Sequence, residues 1–262
     1  MTTDSISRFS RTVENYMRYR PTYPQALVEF LQGVCQLTNA ATIADVGSGT
    51  GLLAEVFLRN GYRVFGVEPN TEMRLASQQV LRNYSHFSSI AATAEATTLE
   101  SQSIDLITVG QAFQWFNREK TRQEFARVLK PQGWVALAWN IPRRTTPFLV
   151  AYDQLWRKYL DPQLSASDTL ALVYDDGLRA WYAPSIANFK SFDNAQVVDY
   201  AGLKGRVRSS SYAPTPEQPK YTAMLEELEA VFQKHQVHGT VSIEYECRVC
   251  YGQFYPPNKS SI

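Results

Sequence analysis

The chain has 262 residues, 44% of them hydrophobic and 19% charged, which are the proportions of an ordinary globular protein long enough to bury a substantial core. Its 26 basic and 25 acidic residues leave a formal charge of +1, so no overall electrostatic footprint for nucleic acid or an anionic membrane exists. Three cysteines make no disulfide framework. No run of about 18 apolar residues offers a bilayer span. The N-terminal residues Met1 to Ser5 lack a basic-then-apolar secretory pattern. The expectation is a cytoplasmic protein without nucleic-acid or membrane partners, built as one large domain or a domain with a cap.

Taken in chain order, the first segment mixes aromatic and basic residues through Tyr16, Tyr19, Arg20 and Tyr23. A helix is predicted from about Pro24 to Gly33. Thr42 to Val46 reads as a short buried strand that runs into glycines, and Leu52 to Asn60 as a helix stopped by Gly61. Tyr62 to Val67 is a strand, Thr71 an N-cap for a helix to about Asn83, and Phe87 to Ala91 a third strand. Ile104 to Val109 is apolar and strand-like, and Glu119 to Leu129 has helical spacing. Pro131-Gln132-Gly133 turns the chain into a strand from Trp134 to Trp139. Strands alternating with helices imply right-handed crossovers and a parallel sheet.

The alternation breaks after Asn140. Residues 141–187, rich in Trp156, Tyr159, Tyr174 and Trp181, read as a helical cap too irregular for the sheet, or equally as a dimer surface. Strand character returns near Gln196 to Tyr200. Lys204, Arg206 and Arg208 form a small basic cluster by a loop at Ser209 to Pro216, a pattern that is ordinarily solvated. Thr222 to His235 is a helix, and Val241 to Tyr251 a last strand before a tail expected to fray. On that strand Cys247 and Cys250 sit three apart, so they face opposite sides and do not converge on a metal. No metal site is expected.

The chemistry-bearing segment is Asp45-Val46-Gly47-Ser48-Gly49-Thr50-Gly51. A strand entering a glycine-rich turn and then a helix is a general nucleotide-cofactor device. Asp45, two residues before the first glycine, would repel a pyrophosphate and suits a ligand with an ammonium or sulfonium. Glu68 ends the next strand, where an acid can accept hydrogen bonds from both ribose hydroxyls. Ala94-Glu95 precedes the fourth strand and can edge an adenine. A nicotinamide dinucleotide stays open as a rival, because Gly49 to Ala54 satisfies the permissive GxGxxA form.

Four segments carry a resemblance. Ala44 to Gly51 with Val67-Glu68-Pro69-Asn70 is similar to the first two cofactor motifs of class I S-adenosylmethionine-dependent methyltransferases. Ile104 to Phe116 resembles the fourth-strand motif of their type-11-like small-molecule branch, which includes trans-aconitate methyltransferase-like proteins. Arg127 to Trp134 resembles the turn before the fifth strand, and Tyr19 to Pro24 the N-terminal segment that covers the cofactor. The resemblance covers about residues 16–140. It implies a Rossmann-like, mostly parallel seven-stranded α/β sheet with the last strand antiparallel. One domain would then comprise an N-terminal lid (1–35), a cofactor half (36–140), a helical cap (141–187) and C-terminal strands and helix (188–262).

It also implies S-adenosyl-L-methionine as cofactor. Gly47, Ser48 and Gly49 would back the methionine through main chain, with Asp45 shaping the loop or meeting the amino group. Glu68 would hold the ribose; Asn70 and Met73 would flank the adenine, with Ala94 and Glu95 along its edge. Gln111 would face the amino group, and Tyr16 and Arg20 would close over the carboxylate. Tyr16 and Met73 equally suit core packing, and Arg20 a solvated surface. Phe113, Gln114, Trp115 and Trp139 are candidates for the acceptor side, along with Phe116, the aromatics equally fitting sheet-end packing. The branch often has His where this chain has Gln114, and neutral Gln is no general base. No catalytic residue is therefore assigned.

The expected activity is in-line methyl transfer to a small-molecule carboxylate, hydroxyl or carbon nucleophile, by a monomer or homodimer. A nicotinamide-dependent oxidoreductase and a cofactor-binding protein without transferase activity are the alternatives.

Overall fold

The structure, a computed structural model, describes residues 19–159, 176–210 and 213–254. Helix α1 (Gln25–Val34) leads into β1 (Thr42–Val46), α2 (Leu52–Arg59), β2 (Arg63–Val67), α3 (Thr71–Val80) and β3 (Phe87–Ile90). Then come β4 (Ile104–Gly110), α4 (Arg118–Val128), β5 (Leu129–Pro142), α5 (Pro147–Tyr159) and α6 (Asp176–Tyr182). The chain closes with β6 (Asn188–Val198), α7 (Tyr200–Arg208), α8 (Lys220–His235) and β7 (Val241–Gln253). The strands make one seven-stranded sheet in the order β3-β2-β1-β4-β5-β7-β6. β7 runs antiparallel to both neighbours, β5 and β6, and the pairs from β3 to β5 are parallel. This is the Rossmann-like architecture with an antiparallel last strand.

The order reverses at β1 and β4, so the crevice beyond their C-terminal ends lies at the topological switch point, where open α/β sheets bind ligands. Two apolar layers hold the sheet. On one face Val46, Ile107, Val109, Val135, Leu137 and Trp139 meet Phe125 and Val128 of α4 and Leu178, Trp181 and Tyr182 of α6. On the other, Ile43, Leu106, Ala136 and Ala138 meet Leu27, Val28 and Leu31 of α1 and Leu53, Val56 and Phe57 of α2. Each such fully buried Leu or Phe contributes about 1.5–3 kcal/mol. Cys250 lies in the first layer and Cys247 in the second, as period-two alternation requires, and both thiols are free.

Several boundaries differ from the expectation. Asn70, not Thr71, caps α3: its side-chain oxygen accepts the Met73 N–H. β6 begins at Asn188 rather than near Gln196. It is an edge strand with only alternate positions half-buried, so its apolar signal is thin. Tyr200, expected to end a strand, instead opens α7, which is capped by the Asp199 carboxylate on the Gly202 N–H. Gly202 and Gly205 weaken helix propensity there, but the bare Cα of Gly205 is what admits the Tyr19 ring; a Cβ would sit 2.1 Å from it.

The segment expected to cap the site divides. α5 packs on α8 and β7 in a third cluster of Phe148, Tyr152, Leu228, Phe232 and Tyr245. α6 instead covers the sheet. Trp181 lies edge-on to Phe113 and Phe125, and the Tyr182 hydroxyl reaches the Val135 and Cys250 carbonyls at 3.1 and 3.2 Å. Trp181 is therefore a core residue rather than a wall of a cap. Tyr174 and the C-terminal tail lie outside the described residues.

Candidate functional site

β1 delivers Asp45 to the switch point, buried to 1% exposure. Its Oδ1 accepts the Thr108 hydroxyl of β4 at 3.1 Å, whereas its Oδ2 is buried with no hydrogen-bond partner. Burial pushes this carboxyl up to about 7, against the lowering effect of the Thr108 hydroxyl and the Ala54 N–H at the start of α2. The chain then turns through Gly47, Gly49 and Gly51, all at positive φ. Gly47 has a second constraint, because a Cβ there would lie 2.7 Å from Ala112 Cβ and 3.0 Å from Phe116 Cζ. Beside Gly49 the space is open, with nothing within 4 Å of a Cβ built there.

Four donors of this loop are spent internally. The Gly47 and Ser48 N–H groups both go to the Val67 carbonyl, at 2.8 and 3.2 Å, and the Gly51 N–H goes to the Ser48 carbonyl at 2.9 Å. The Gly49 N–H donates to Glu68 Oε2 at 2.9 Å, and Glu68 Oε1 accepts the Asn70 N–H at 2.9 Å. Glu68, 5% exposed, thus ties the first loop to the start of α3. Burial raises its pKa, partly offset by the Asn70 and Gly49 N–H groups. Each carboxylate oxygen keeps a lone pair for a further donor. Asn70 and Met73 are buried on the same turn. Ala94 is buried, and Glu95 accepts the Asn117 N–H that opens α4.

Gln111 directly follows β4, at φ 58°, an uncommon conformation for a residue other than glycine. Its N–H donates to the Ala138 carbonyl and its Nε2 to the Asn140 carbonyl, while its own carbonyl accepts Gln114 Nε2 at 2.8 Å. Gln114 Oε1 is buried without a partner. Phe113, expected on the acceptor side, is a core residue at 1% exposure between Phe116 and Trp181. Trp139 is also 1% exposed and belongs to the same layer, its indole N–H unpartnered. Trp115 is half-buried.

The N-terminal segment reaches the site from the other side, and Tyr16 lies outside the described residues. Side-chain amides hold the described part by its backbone. Asn140 and Asn194 donate to the Thr22 carbonyl, at 3.3 and 2.7 Å, and Gln196 donates to the Tyr19 carbonyl at 3.1 Å. Arg20 is directed to the end of α7, where its Nη2 donates to the Ser209 carbonyl at 3.1 Å. Asn140 joins three parts of the site and was missed from sequence; the available signal was a polar residue closing an otherwise apolar strand. Arg206, taken as solvated, is 8% exposed.

Comparison with known proteins agrees with this geometry. Residues 44–137 match a family model described as a methyltransferase domain. An uncharacterised methyltransferase of Schizosaccharomyces pombe is 27% identical over 221 residues, 84% of this chain and 86% of that protein. An uncharacterised methyltransferase of Mycobacterium tuberculosis is 33% identical over 141 residues, covering 52% of this chain and about half (54%) of its own length. Among solved structures, that of a candidate type II methyltransferase from Anaeromyxobacter dehalogenans superposes with a TM-score of 0.66 over 91% of this chain and 100% of that one, at 18% identity.

Proposed function

We propose that the chain is a class I S-adenosylmethionine-dependent methyltransferase, a reading supported by the methyltransferase-domain match and the methyltransferase-named relatives, that the crevice at β1 and β4 holds S-adenosyl-L-methionine, and that the protein methylates a small-molecule acceptor. The observation that carries this reading is the glycine loop's spent donors. A dinucleotide pyrophosphate is held by free N–H groups at a helix N-terminus. Here the N–H groups of Gly47, Ser48, Gly49 and Gly51 are already bonded, and the nearest charge is the Asp45 carboxylate with one oxygen unsatisfied. Such a loop offers acceptors to a cation, which favours a ligand carrying an ammonium over one carrying phosphates.

The open space at Gly49, the unpartnered Asp45 Oδ2 and Ser48 Oγ, and the remaining lone pairs of Glu68 fit the cofactor's parts. Asp45 and Gln111 would meet the amino group, Glu68 the ribose hydroxyls, and Asn70, Met73, Ala94 and Glu95 the adenine. When bound, S-adenosylmethionine supplies an electrophilic methyl group whose leaving thioether is neutral. The chain's own task is to align the acceptor and exclude water. The segment at Tyr19 to Tyr23, laid across the ends of β5 and β6, suits that exclusion. Gln114 and Trp115 would face the acceptor.

Calorimetric titration with S-adenosylhomocysteine and with NAD tests the cofactor assignment, and a methyl-labelled cofactor screened against metabolite extracts tests transfer. Binding of NAD in place of S-adenosylhomocysteine would sink the proposal.

A further inference from the structure

Away from the glycine loop, a group of buried donors lies around the first residues of β7. Arg206 of α7 is 8% exposed, yet its Nε and Nη1 make no hydrogen bond of normal geometry. Its guanidinium stands over the Tyr245 ring, 5.1 Å from the centroid. The Tyr245 and Tyr152 hydroxyls are buried in the same way, also without such partners. Arg20 is near enough to act electrostatically on both phenols. No Asp or Glu carboxylate pairs with Arg206 among the described residues.

A buried guanidinium without a carboxylate counter-ion is expensive, and a bound anion would offset that cost. A planar guanidinium and two phenol hydroxyls can all donate, although each phenol oxygen can also accept and, against the raising effect of burial, Arg206 lowers the Tyr152 phenol; convergent donors of this kind recognise a carboxylate or phosphate. Tyr245 pairs with Pro142 and with Asn194, so the group sits at the C-terminal edge of β5, the edge toward which the Gly47 and Gln111 turns also open. β7 is the second strand beyond β4, about 10 Å across the sheet at about 4.8 Å per strand.

We propose that Arg206, with Tyr152 and Tyr245 and beside Arg20, binds an anionic group, carboxylate or phosphate, of the methyl acceptor. The proposal rests on the methyltransferase reading for the word acceptor. The anion site itself stands on the donor geometry.

The test titrates the full chain, saturated with S-adenosylhomocysteine, with phenylacetate, inorganic phosphate and neutral phenylacetamide. At least one anion should bind and the amide should not. Arg206→Met should weaken that anion about tenfold or more and leave S-adenosylhomocysteine affinity within about twofold. It should also raise the thermal midpoint of the unliganded protein, since an unpaired buried charge is removed. Tyr245→Phe should weaken the anion in the same direction, and decides the question if Arg206→Met does not fold. The proposal is overturned if neither anion binds the wild-type chain, or if the variants bind it unchanged. A parallel loss of S-adenosylhomocysteine affinity in Arg206→Met also overturns it, because the anion is then the cofactor's own carboxylate. A wild-type chain that binds the anion but no S-adenosylhomocysteine brings down the methyltransferase reading instead.

Discussion

Asp45 gives the sharpest test of the site's electrostatics. Its carboxyl moves from 3.8 to about 7 on burial, so the folded chain holds the proton more tightly than the unfolded one. The contribution of Asp45 to stability is then greatest below about pH 4, falls as the pH rises, and levels off above about 7. At about 1.4 kcal/mol per pH unit the full loss is about 4 kcal/mol, of which about 2.5 kcal/mol falls between pH 5 and pH 8. The residue is 1% exposed, so solvent does little to screen it. Asp45→Asn keeps the shape and removes the titration. Any fixed cost of the amide shifts its curve without tilting it, and Glu68, titrating in both proteins, largely cancels. Urea denaturation of both proteins at pH 5 and pH 8 should therefore find the variant gaining about 2.5 kcal/mol on the wild type between the two conditions. Parallel pH–stability curves would falsify the assignment of a strongly raised, buried carboxyl at the head of the loop.

Three further outcomes follow from the same geometry. S-adenosylhomocysteine affinity should rise with pH up to about 7, by at most about tenfold per unit, because Asp45 must ionise to meet an ammonium; a flat calorimetric profile in wild type would remove that contact. Glu68→Ala should weaken S-adenosylhomocysteine about 10- to 100-fold, the worth of charge-assisted hydrogen bonds to a ribose, and unchanged affinity would end the ribose assignment. Gly47→Ala forces a Cβ to 2.7 Å from Ala112 at φ 68° and should cost about 1–3 kcal/mol in denaturant unfolding; a neutral variant would show that the loop's close packing on Phe116 is slack.

The first half of the fold was legible because its signals are local. Thr42 to Val46 is apolar and ends at glycines, and Leu52 opens a helix directly after Gly51, where the structure begins β1 and α2. The alternation that put Cys247 and Cys250 on opposite faces needs only a strand period. The second half resisted for physical reasons. α7 carries two glycines whose merit lies in what rests on them, the Tyr19 ring above all, and that contact spans most of the chain. Arg206 looked like one of three solvated charges until the packing of α5, α7 and β7 closed around it. Asn140 links Gln111, Thr22 and Asn194, residues separated by up to 172 positions, and no window of sequence contains that junction. Sequence leaves Phe113 and Trp139 open as pocket walls or sheet-end packing, because aromatics near a strand end serve either purpose; their neighbours decide, and α6 supplies them.

The two thiols of β7 offer a use beyond packing. Burial pushes both Cys247 and Cys250 up to about 12, so neither is a nucleophile while the sheet is covered. Cys247 is shielded by α1 and α2, Cys250 by α4 and α6. Alkylation of each then proceeds only through the opening that uncovers its own layer, and its rate reads the free energy of that opening. Cys35, on the α1 side, serves as a second clock for the same layer as Cys247. Equal rates at all three would describe a sheet that undresses in one cooperative event. A faster Cys250 would mean that α4 and α6 detach first, and that this protein breathes from one face.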